Sequence, residues 1–150
     1  TGLELFQQPG QRRTLVDAPE LMPTAVEEFL RYVTPVTHMC RTATEDVEIR
    51  GEKIAKGDFL MLLYPAANRD EDVWERPQEL DVTRTPDPSH LAFGFAEHFC
   101  LGASLARREA RIVLSELLRR FPNYEITGGI TRVRQHMTPG IKTMSVVFRR

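Results

Sequence analysis

Phe93-Gly94-Phe95-Ala96-Glu97-His98-Phe99-Cys100-Leu101-Gly102 is the stretch of this chain that most strongly constrains its interpretation. It places Cys100 directly before Leu101–Phe121, which is predicted to be an amphipathic helix that Pro122 ends. Its predicted apolar face consists of Leu105, Ala106, Ala110, Val113, Leu114, Leu117 and Leu118. Unpaired N–H groups and the positive dipole end at a helix start stabilise the thiolate, the form of cysteine that binds metal. Glycines on either side of the cysteine allow a flat ligand to approach closely. Cys100 is therefore a candidate iron ligand, and a large planar cofactor is predicted.

Two other interpretations of Cys100 stay open on the residues alone. A lone cysteine between Phe99 and Leu101 is more often a small buried hydrophobic side chain than a metal ligand. It could also be a thiol nucleophile with His98 as its base. A histidine two positions away on a tight loop is poorly placed for that role, and the sequence suggests no third group to orient it.

The same stretch resembles the haem-binding loop of the cytochrome P450 monooxygenases, whose pattern is Phe-Gly-x-Gly-x-His/Arg-x-Cys-x-Gly. The fixed positions that match are Phe93, Gly94, His98, Cys100 and Gly102, whereas Ala96 stands where the family usually has glycine. The resemblance implies that Cys100 is the thiolate ligand of haem b, iron protoporphyrin IX. It implies further that Arg41 and His98 pair with the propionates, that Phe93 packs beside the sulfur, and that the cofactor site includes Gly94, Gly102 and Ala106.

A second motif lies in the segment Leu21–Val33. Met22, Val26, Phe29 and Val33 form one apolar stripe at helical spacing, and Pro35 follows as a helix stop. Glu28 and Arg31 lie off this stripe, so periodicity alone favours an exposed ion pair of a few tenths of a kcal/mol. The resemblance instead implies a buried pair, the family's Glu-x-x-Arg, joined by Arg84 from a downstream loop. We therefore predict that the three side chains are buried and mutually hydrogen-bonded.

The rest of the chain mixes short helices, strands and one long loop. Helices are predicted at Gly2–Gln8 and Gln11–Asp17, and strands at Thr37–Ala43, Val47–Arg50 and Phe59–Tyr64. The last strand is a continuous apolar run, which is typical of a strand covered on both faces. The segment from Asn68 to His90, which contains Pro77, Pro86 and Pro88, is predicted to be a pinned loop. Tail strands are predicted at Tyr124–Thr127, Ile130–Arg134 and Ile141–Phe148, joined through Gly128-Gly129 and Thr138-Pro139-Gly140.

Composition limits the class of protein. The 150 residues suffice for one core, and no run of about 18 apolar residues could form a membrane span. The net charge of −1 does not indicate binding to nucleic acid or an anionic membrane. Cys40 and Cys100 lie in unrelated contexts, so we expect no disulfide framework and a reducing, cytoplasmic location. No repeat divides the chain, which predicts a single soluble unit.

The resemblance extends along the whole chain and implies a fold class. That class is mainly α with small β-sheets (α+β), the C-terminal portion of the cytochrome P450 fold. Residues 1–150 would be its haem-binding segment, with the upstream half absent, and Thr1–Gln8 resembles the tail of the helix on the oxygen side of the haem. The chain begins without Met, and we expect it to be part of a longer protein.

The function implied is that of an oxidoreductase. The parent enzyme would be a monooxygenase that inserts one atom of O₂ into a C–H bond of a small hydrophobic substrate. Its electrons would come from an acidic ferredoxin-like donor docking on Arg107, Arg108 and Arg111, and substrate contacts are expected near Val36–His38 and Met137–Gly140. The alternative is a truncated, non-catalytic haem or interaction module.

Overall fold

The computed structural model describes residues 2–85, 87 and 89–149, with no side chain described for Arg149. Thr1, Pro86 and Pro88, which belong to segments predicted above, lie outside the described residues. The described helices are α1 (Gly2–Gln7), α2 (Pro9–Asp17), α3 (Met22–Val33), α4 (Tyr64–Ala67) and α5 (Ala103–Arg120), with 3₁₀ turns at Pro19–Leu21 and Ala96–His98. The described strands are β1 (His38–Thr42), β2 (Val47–Ile49), β3 (Glu52–Ile54), β4 (Phe59–Leu63), β5 (Asn123–Arg132) and β6 (Ile141–Arg149).

The core lies where α1, α2, α3, α5 and the start of β5 meet. Apolar side chains of α3 and α5 pack together there, because both helices carry a buried stripe. The cluster of buried side chains comprises Leu5, Leu15, Met22, Ala25, Val26, Phe29, Leu80, Val82, Leu114, Leu118 and Tyr124. The Tyr124 hydroxyl donates to the Gly2 carbonyl at 2.5 Å, so β5 is tied to the first helix. Within the described residues no helix is long and apolar enough to cross a membrane.

Helix α3 ends as its sequence predicts. Thr34 takes a left-handed conformation (φ +44°), and its amide donates to the Leu30 carbonyl. Pro35 follows and cannot continue the helix. The Thr34 hydroxyl donates to the Arg31 carbonyl at 2.6 Å and accepts from Asn68 at 2.9 Å. The end of α3 is therefore joined to the loop that begins at Asn68.

Each described sheet is an antiparallel pair of strands: β1 with β4, β2 with β3, and β5 with β6. Strands β2 and β3 join through Arg50 and Gly51, both with positive φ, as a two-residue hairpin of type I′ requires. Strand β3 was absent from the sequence prediction. The tail contains two long strands rather than the predicted three, because Gly128-Gly129 lies inside β5 at a register irregularity instead of forming a turn.

The prediction that Phe59–Tyr64 is core on both faces is wrong. In β4 the side chains of Phe59, Met61 and Leu63 are 73%, 55% and 53% exposed. The strand pairs with β1 on one edge, and among the described residues nothing packs over this face. Hydrophobic composition indicates that a strand can be covered, but only neighbouring elements can cover it.

Helix α5 also buries less than predicted. Ala103, Leu114 and Leu118 are buried, whereas Leu105 and Val113, which we assigned to the same face, are mostly exposed. The helix contacts α2 and α3 along a strip narrower than its apolar surface. The predicted stripe was therefore too wide, because residues at one edge of a helical apolar face need a second neighbour to be buried.

The long loop is pinned, as predicted. Between α4 and Ala96 the described residues contain neither helix nor strand. Trp74, Leu80, Val82 and His90 nevertheless are buried. Asn68, at the start of the loop, is 1% exposed and accepts from the Leu91 amide at 2.7 Å. Buried anchors of this kind keep a loop without secondary structure in one conformation.

Candidate functional site

A largely apolar cavity of about 430 Å³ opens between the end of α3, strand β1, helix α4 and the cysteine loop, residues 93–102. Strand β1 brings Arg41 to the wall of this cavity, and the cysteine loop, which is distant from β1 in sequence, brings His98 and Cys100. The full lining is Leu30, Pro35, Val36, Met39, Arg41, Tyr64, Ala92, Phe93, Gly94, His98 and Cys100. A cavity of this size with a few polar groups is typical of a small-molecule or cofactor site.

The cysteine loop is folded back on itself. The Cys100 amide donates to the Phe93 carbonyl at 2.8 Å, which closes the loop. Gly94 has φ +75°, and a Cβ there would lie 3.1 Å from the His98 carbonyl oxygen. Ala96 has φ +53°, so this alanine takes a left-handed conformation that suits glycine better. The turn therefore forms at Ala96 without the glycine, at the expense of backbone strain.

Cys100 is exposed and lines the cavity, so the interpretation as a buried hydrophobic side chain is wrong. It lies two residues before Gly102, the cap of α5. Both Cys40 and Cys100 are free thiols. Among the described residues, no group of three or more His, Cys, Asp or Glu side chains is arranged to hold a metal ion. A metal bound through Cys100 would therefore have to bring its other ligands with it, as the iron of a haem does.

The remaining predicted site residues fall into two groups. Arg41, Gly94 and His98 also line an adjoining cavity of about 360 Å³, so they form the rim between the two cavities together with Tyr64, which the sequence did not suggest. Arg41 donates from Nη1 to the Cys40 carbonyl at 2.8 Å. Gly102 and Ala106 do not line either cavity. Nothing in the described residues orients His98 as a base for Cys100.

Glu28 and Arg31 are buried, so the exposed pair favoured by periodicity is wrong and the implied burial is confirmed. The two side chains form a bidentate pair, Nε to Oε2 at 2.7 Å and Nη2 to Oε1 at 2.8 Å. Arg31 also donates to three loop carbonyls, those of Asn68, Pro77 and Glu79, at 2.8–2.9 Å. The pair thus holds the long loop against α3.

Arg84 joins this network as an ion pair. Its Nε lies 3.2 Å from Oε2 of Glu28 but has no hydrogen-bond partner among the described residues, contrary to the predicted mutual hydrogen bonding. The guanidinium instead donates to the carbonyls of Glu75, at 2.5 Å, and Arg76, at 3.2 Å. The Glu28 network, which we define as Glu28, Arg31 and Arg84, therefore fixes the loop mainly through its backbone.

A second network, which the sequence did not suggest, surrounds Glu27. Arg107 binds this carboxylate through Nε at 2.8 Å and Nη2 at 2.9 Å, and Nε2 of His90 lies 3.2 Å from Oε2. Burial raises the pKa of Glu27, but the hydrogen bonds from His90 and Arg107 outweigh it and lower the pKa to about 2. Helical spacing would have paired Glu27 with Arg31, four residues on, so no local signal predicted this Glu27 network of Glu27, His90 and Arg107.

The Glu27 network corrects the predicted docking surface. Arg107 does not project freely from α5, because its side chain is 24% exposed and held by Glu27. Its guanidinium lies 4.6 Å from the centroid of the Phe93 ring. Arg111 lies 3.9 Å from Glu27 and is more exposed, and Arg108 is exposed. Of the three arginines, Arg108 alone is without an ion pair among the described residues.

Comparison with known proteins agrees with this geometry. Residues 13–132 match the family model described as Cytochrome P450. Over 148 residues the chain is 46% identical to a methyl-branched lipid omega-hydroxylase of Mycobacterium tuberculosis and 42% identical to a linalool 8-monooxygenase of Pseudomonas putida. The alignments cover 97% and 99% of this chain, but only 34% and 36% of those proteins. The chain therefore spans about a third of the length of these curated relatives.

Solved structures share the same architecture. P450BioI, crystallised with an acyl carrier protein ligated to hexadec-9Z-enoic acid, superposes with a TM-score of 0.93 at 40% identity and covers 98% of this chain. The tirandamycin C-bound P450 monooxygenase TamI gives a TM-score of 0.92 at 37% identity over 99% of this chain. Each match covers 38% of the larger structure. The predicted class, mainly α with small β-sheets, is confirmed.

Proposed function

The chain belongs to the cytochrome P450 family, and from that premise we propose that it is the haem-binding C-terminal part of a monooxygenase. In this proposal Cys100 is the thiolate ligand of haem b, and residues 1–150 form the wall on the sulfur side of the cofactor. The observation that carries it is the exposed Cys100 thiol in an apolar cavity with Arg41 and His98 at the rim. The upstream half of the family fold would supply the oxygen side.

The residues present fit a haem. Apolar side chains such as Met39 and Phe93 suit the faces of a porphyrin, and Arg41 and His98 are suitable partners for two propionates. A Cβ at Gly94 would crowd the loop beside the cavity. Cys100 supplies one soft ligand. Gly102 and Ala106 serve the site indirectly, through the turn and helix that follow the ligand.

A haem bound through a cysteine thiolate supplies activation of O₂ with favoured O–O cleavage, so that one oxygen atom enters a C–H bond. This chain's own residues present the thiol, pair with the carboxylates of the cofactor and keep water from the sulfur. Phe93 carries the last role, since it lines the same cavity as Cys100 and forms an edge-on contact with Phe99. Loss of Phe93 would open the sulfur to solvent.

The proposed substrate is small and hydrophobic. The relatives named above act, by their names, on a methyl-branched lipid and on linalool. Here the lining of the cavity includes Pro35, Val36 and Met39, which are apolar. The amide of Thr37 donates to the Met137 carbonyl at 2.8 Å, which joins the two segments proposed for substrate contact, Val36–His38 and Met137–Gly140.

The proposed electron donor is an acidic, ferredoxin-like protein, and the proposed location of the enzyme is the cytoplasm. Because Glu27 neutralises Arg107, the docking charge now rests on Arg108 with a contribution from Arg111. Arg108→Glu in the full-length enzyme should slow reduction by the donor several-fold at low salt and weaken its salt dependence. Arg119→Glu, an exposed position at the far end of the same helix, is the control. Equal effects of both variants would exclude this docking surface.

The carbon monoxide difference spectrum of the reduced protein tests the ligand assignment. We expect Cys100→Ala to abolish the signature of thiolate ligation and Cys40→Ala to preserve it, because Cys40 is half-buried on β1 and does not line the cavity. The same loss from Cys40→Ala would show that the wrong sulfur was chosen. Haem binding by the unmodified protein without that signature would contradict cysteine ligation altogether.

A non-catalytic module is the second candidate for the isolated chain. The exposed apolar side chains of β4 and the outer side of α5 favour it, since such surfaces are typical of contacts with other polypeptide. Haem binding by residues 1–150 without substrate turnover, against turnover by the full-length enzyme, would support this division. Turnover by the 150-residue chain alone would contradict it.

A further inference from the structure

We propose that Glu27 and Arg107 are positioning residues that hold the Phe93 ring of the cysteine loop in place at the wall of the cavity, and that each of their charges acts on the reduction potential of the cofactor iron. This inference rests on the proposed haem ligation by Cys100 and adds two residues to that site. The ion pair does not line the cavity itself; Arg107 contacts the Phe93 ring, which does.

The geometry gives Arg107 two contacts with different functions. Its Nε and Nη2 are bound by Glu27, which fixes the plane of the guanidinium. The guanidinium carbon then lies 4.6 Å from the centre of the Phe93 ring, within the range of a cation–π interaction. Phe93 lines the cavity with Cys100, whereas Arg107 does not. The ring is therefore the part of this arrangement that lines the cavity proposed for the cofactor.

His90 supports the same ring from the loop. Nδ1 of His90 accepts from the Ala92 amide at 3.1 Å, which leaves the ring proton on Nε2 to be donated to Glu27. His90 is buried, and its ring centroid lies 5.9 Å from that of Phe93. The charged groups next to Phe93 are those of Glu27 and Arg107, with exposed Arg111 at 3.9 Å from the carboxylate.

These charges act in opposite directions on an iron that gains an electron. A nearby cation stabilises the reduced state and an anion destabilises it, and weak screening in a partly buried site preserves both effects. Glu27 and Arg107 nearly cancel as a pair. Removal of either charge alone should leave the other uncompensated, so the two single variants must shift the reduction potential in opposite directions.

The test uses the full-length holoenzyme and spectroelectrochemical titration. Glu27→Gln keeps the shape of the side chain and should raise the potential, with a two- to tenfold shift of the equilibrium toward reduced iron; tenfold is 59 mV for a one-electron couple. Arg107→Met should lower it by a similar factor, and the double variant should fall between them. Arg107→Lys keeps the positive charge, so its reduction potential should stay close to that of the unmodified protein.

Glu116→Gln is the matched control, since Glu116 also binds two arginines on α5, Arg119 at 2.7 Å and Arg120 at 2.8 Å, but at the exposed end of the helix. It should leave the potential unchanged. Shifts of equal sign for Glu27→Gln and Arg107→Met, or shifts no larger than the control's, would overturn the inference. So would an Arg107→Lys shift as large as that of Arg107→Met.

Hydrogen exchange of the haem-free full-length protein separates this inference from the haem assignment. Glu27→Gln should speed exchange several-fold in peptides covering residues 90–100, where the Cys100 amide is bonded to Phe93, and leave β5 and β6 unaffected. If the unmodified protein shows no thiolate signature, the haem proposal fails while this readout still applies. Unchanged exchange in Glu27→Gln would refute the positioning role itself.

Discussion

Glu27 and Glu28 are adjacent and chemically identical, yet they belong to separate networks. Neighbouring residues on a helix point about 100° apart, so each reaches a different part of the fold. The Glu28 side chain is 1% exposed and its network binds backbone of the long loop. The Glu27 side chain is 15% exposed and its network reaches the aromatic ring beside the candidate ligand. Glu28 therefore stabilises the fold of the long loop, whereas Glu27 supports the candidate site.

The partners differ in the same way. The Arg31 guanidinium donates hydrogen bonds to one carboxylate and three loop carbonyls, so its loss would leave several buried acceptors without a donor. Arg107 binds one carboxylate and lies over Phe93. We therefore expect the Glu28 network to dominate stability and the Glu27 network to dominate the properties of the site.

The largest expected effect is that of Arg31→Met. The buried Glu28 carboxylate loses its bidentate partner and keeps the ion pair with Arg84, and three carbonyls lose a donor, so the free energy of unfolding should fall by about 3–5 kcal/mol. Urea denaturation of the full-length protein measures it. Arg13→Met, which removes an exposed pair with Asp17, is the control and should have little effect. A loss below about 1 kcal/mol at Arg31 would remove the proposed distinction between the networks.

Glu27→Gln should cost less, about 1–3 kcal/mol at neutral pH, the range for hydrogen bonds to a charged group. The pKa of Glu27 is lowered in the folded state, from an ordinary value of 4.5 to about 2, so the carboxylate stabilises the fold above pH 4.5. That contribution should fade as the pH falls from 4.5 through 2. Denaturation of both proteins across this range is the measurement, and a stability difference independent of pH would contradict the assigned ion pairs.

Backbone strain is present in both the long loop and the cysteine loop, and its relief should increase the free energy of unfolding by a smaller amount. Arg76, whose carbonyl binds Arg84, and Ala96 in the cysteine loop both have positive φ. Ala96→Gly should stabilise the protein by about 1 kcal/mol, because relief of the left-handed alanine exceeds the added freedom of the unfolded chain. Thermal unfolding measures it. Ala110→Gly, in the interior of α5, should instead destabilise by about as much.

The smallest effect concerns salt. Hydrogen bonds from Arg119 and Arg120 lower the pKa of Glu116 to about 2 as well, but this group lies at the surface. In a carboxyl-detected NMR titration, raising the salt concentration to 1 M should move the Glu116 pKa back toward 4.5, whereas the Glu27 pKa should change little. Similar shifts at both positions would indicate that Glu27 is solvated as freely as Glu116.

Much of the local structure followed from the sequence because its signals are local. The stripe of Met22, Val26 and Phe29 and the stop at Pro35 predicted α3 to within a residue at either end. The burial of residues that need a neighbour distant in sequence to cover them was predicted wrongly. Leu105 and Val113 were assigned to the core from periodicity, although no described element covers them.

For the site, the motif of the cysteine loop by itself carried the resemblance to the family and predicted that Phe93, Gly94, His98 and Cys100 share one site; all four line the same cavity. Only the tertiary structure decided which carboxylate each arginine binds. Arg107 meets Glu27 across 80 positions, not a surface partner one turn away. The physical reason is that helical spacing specifies which residues share a face, whereas the packing of α3 against α5 and the long loop specifies which faces meet.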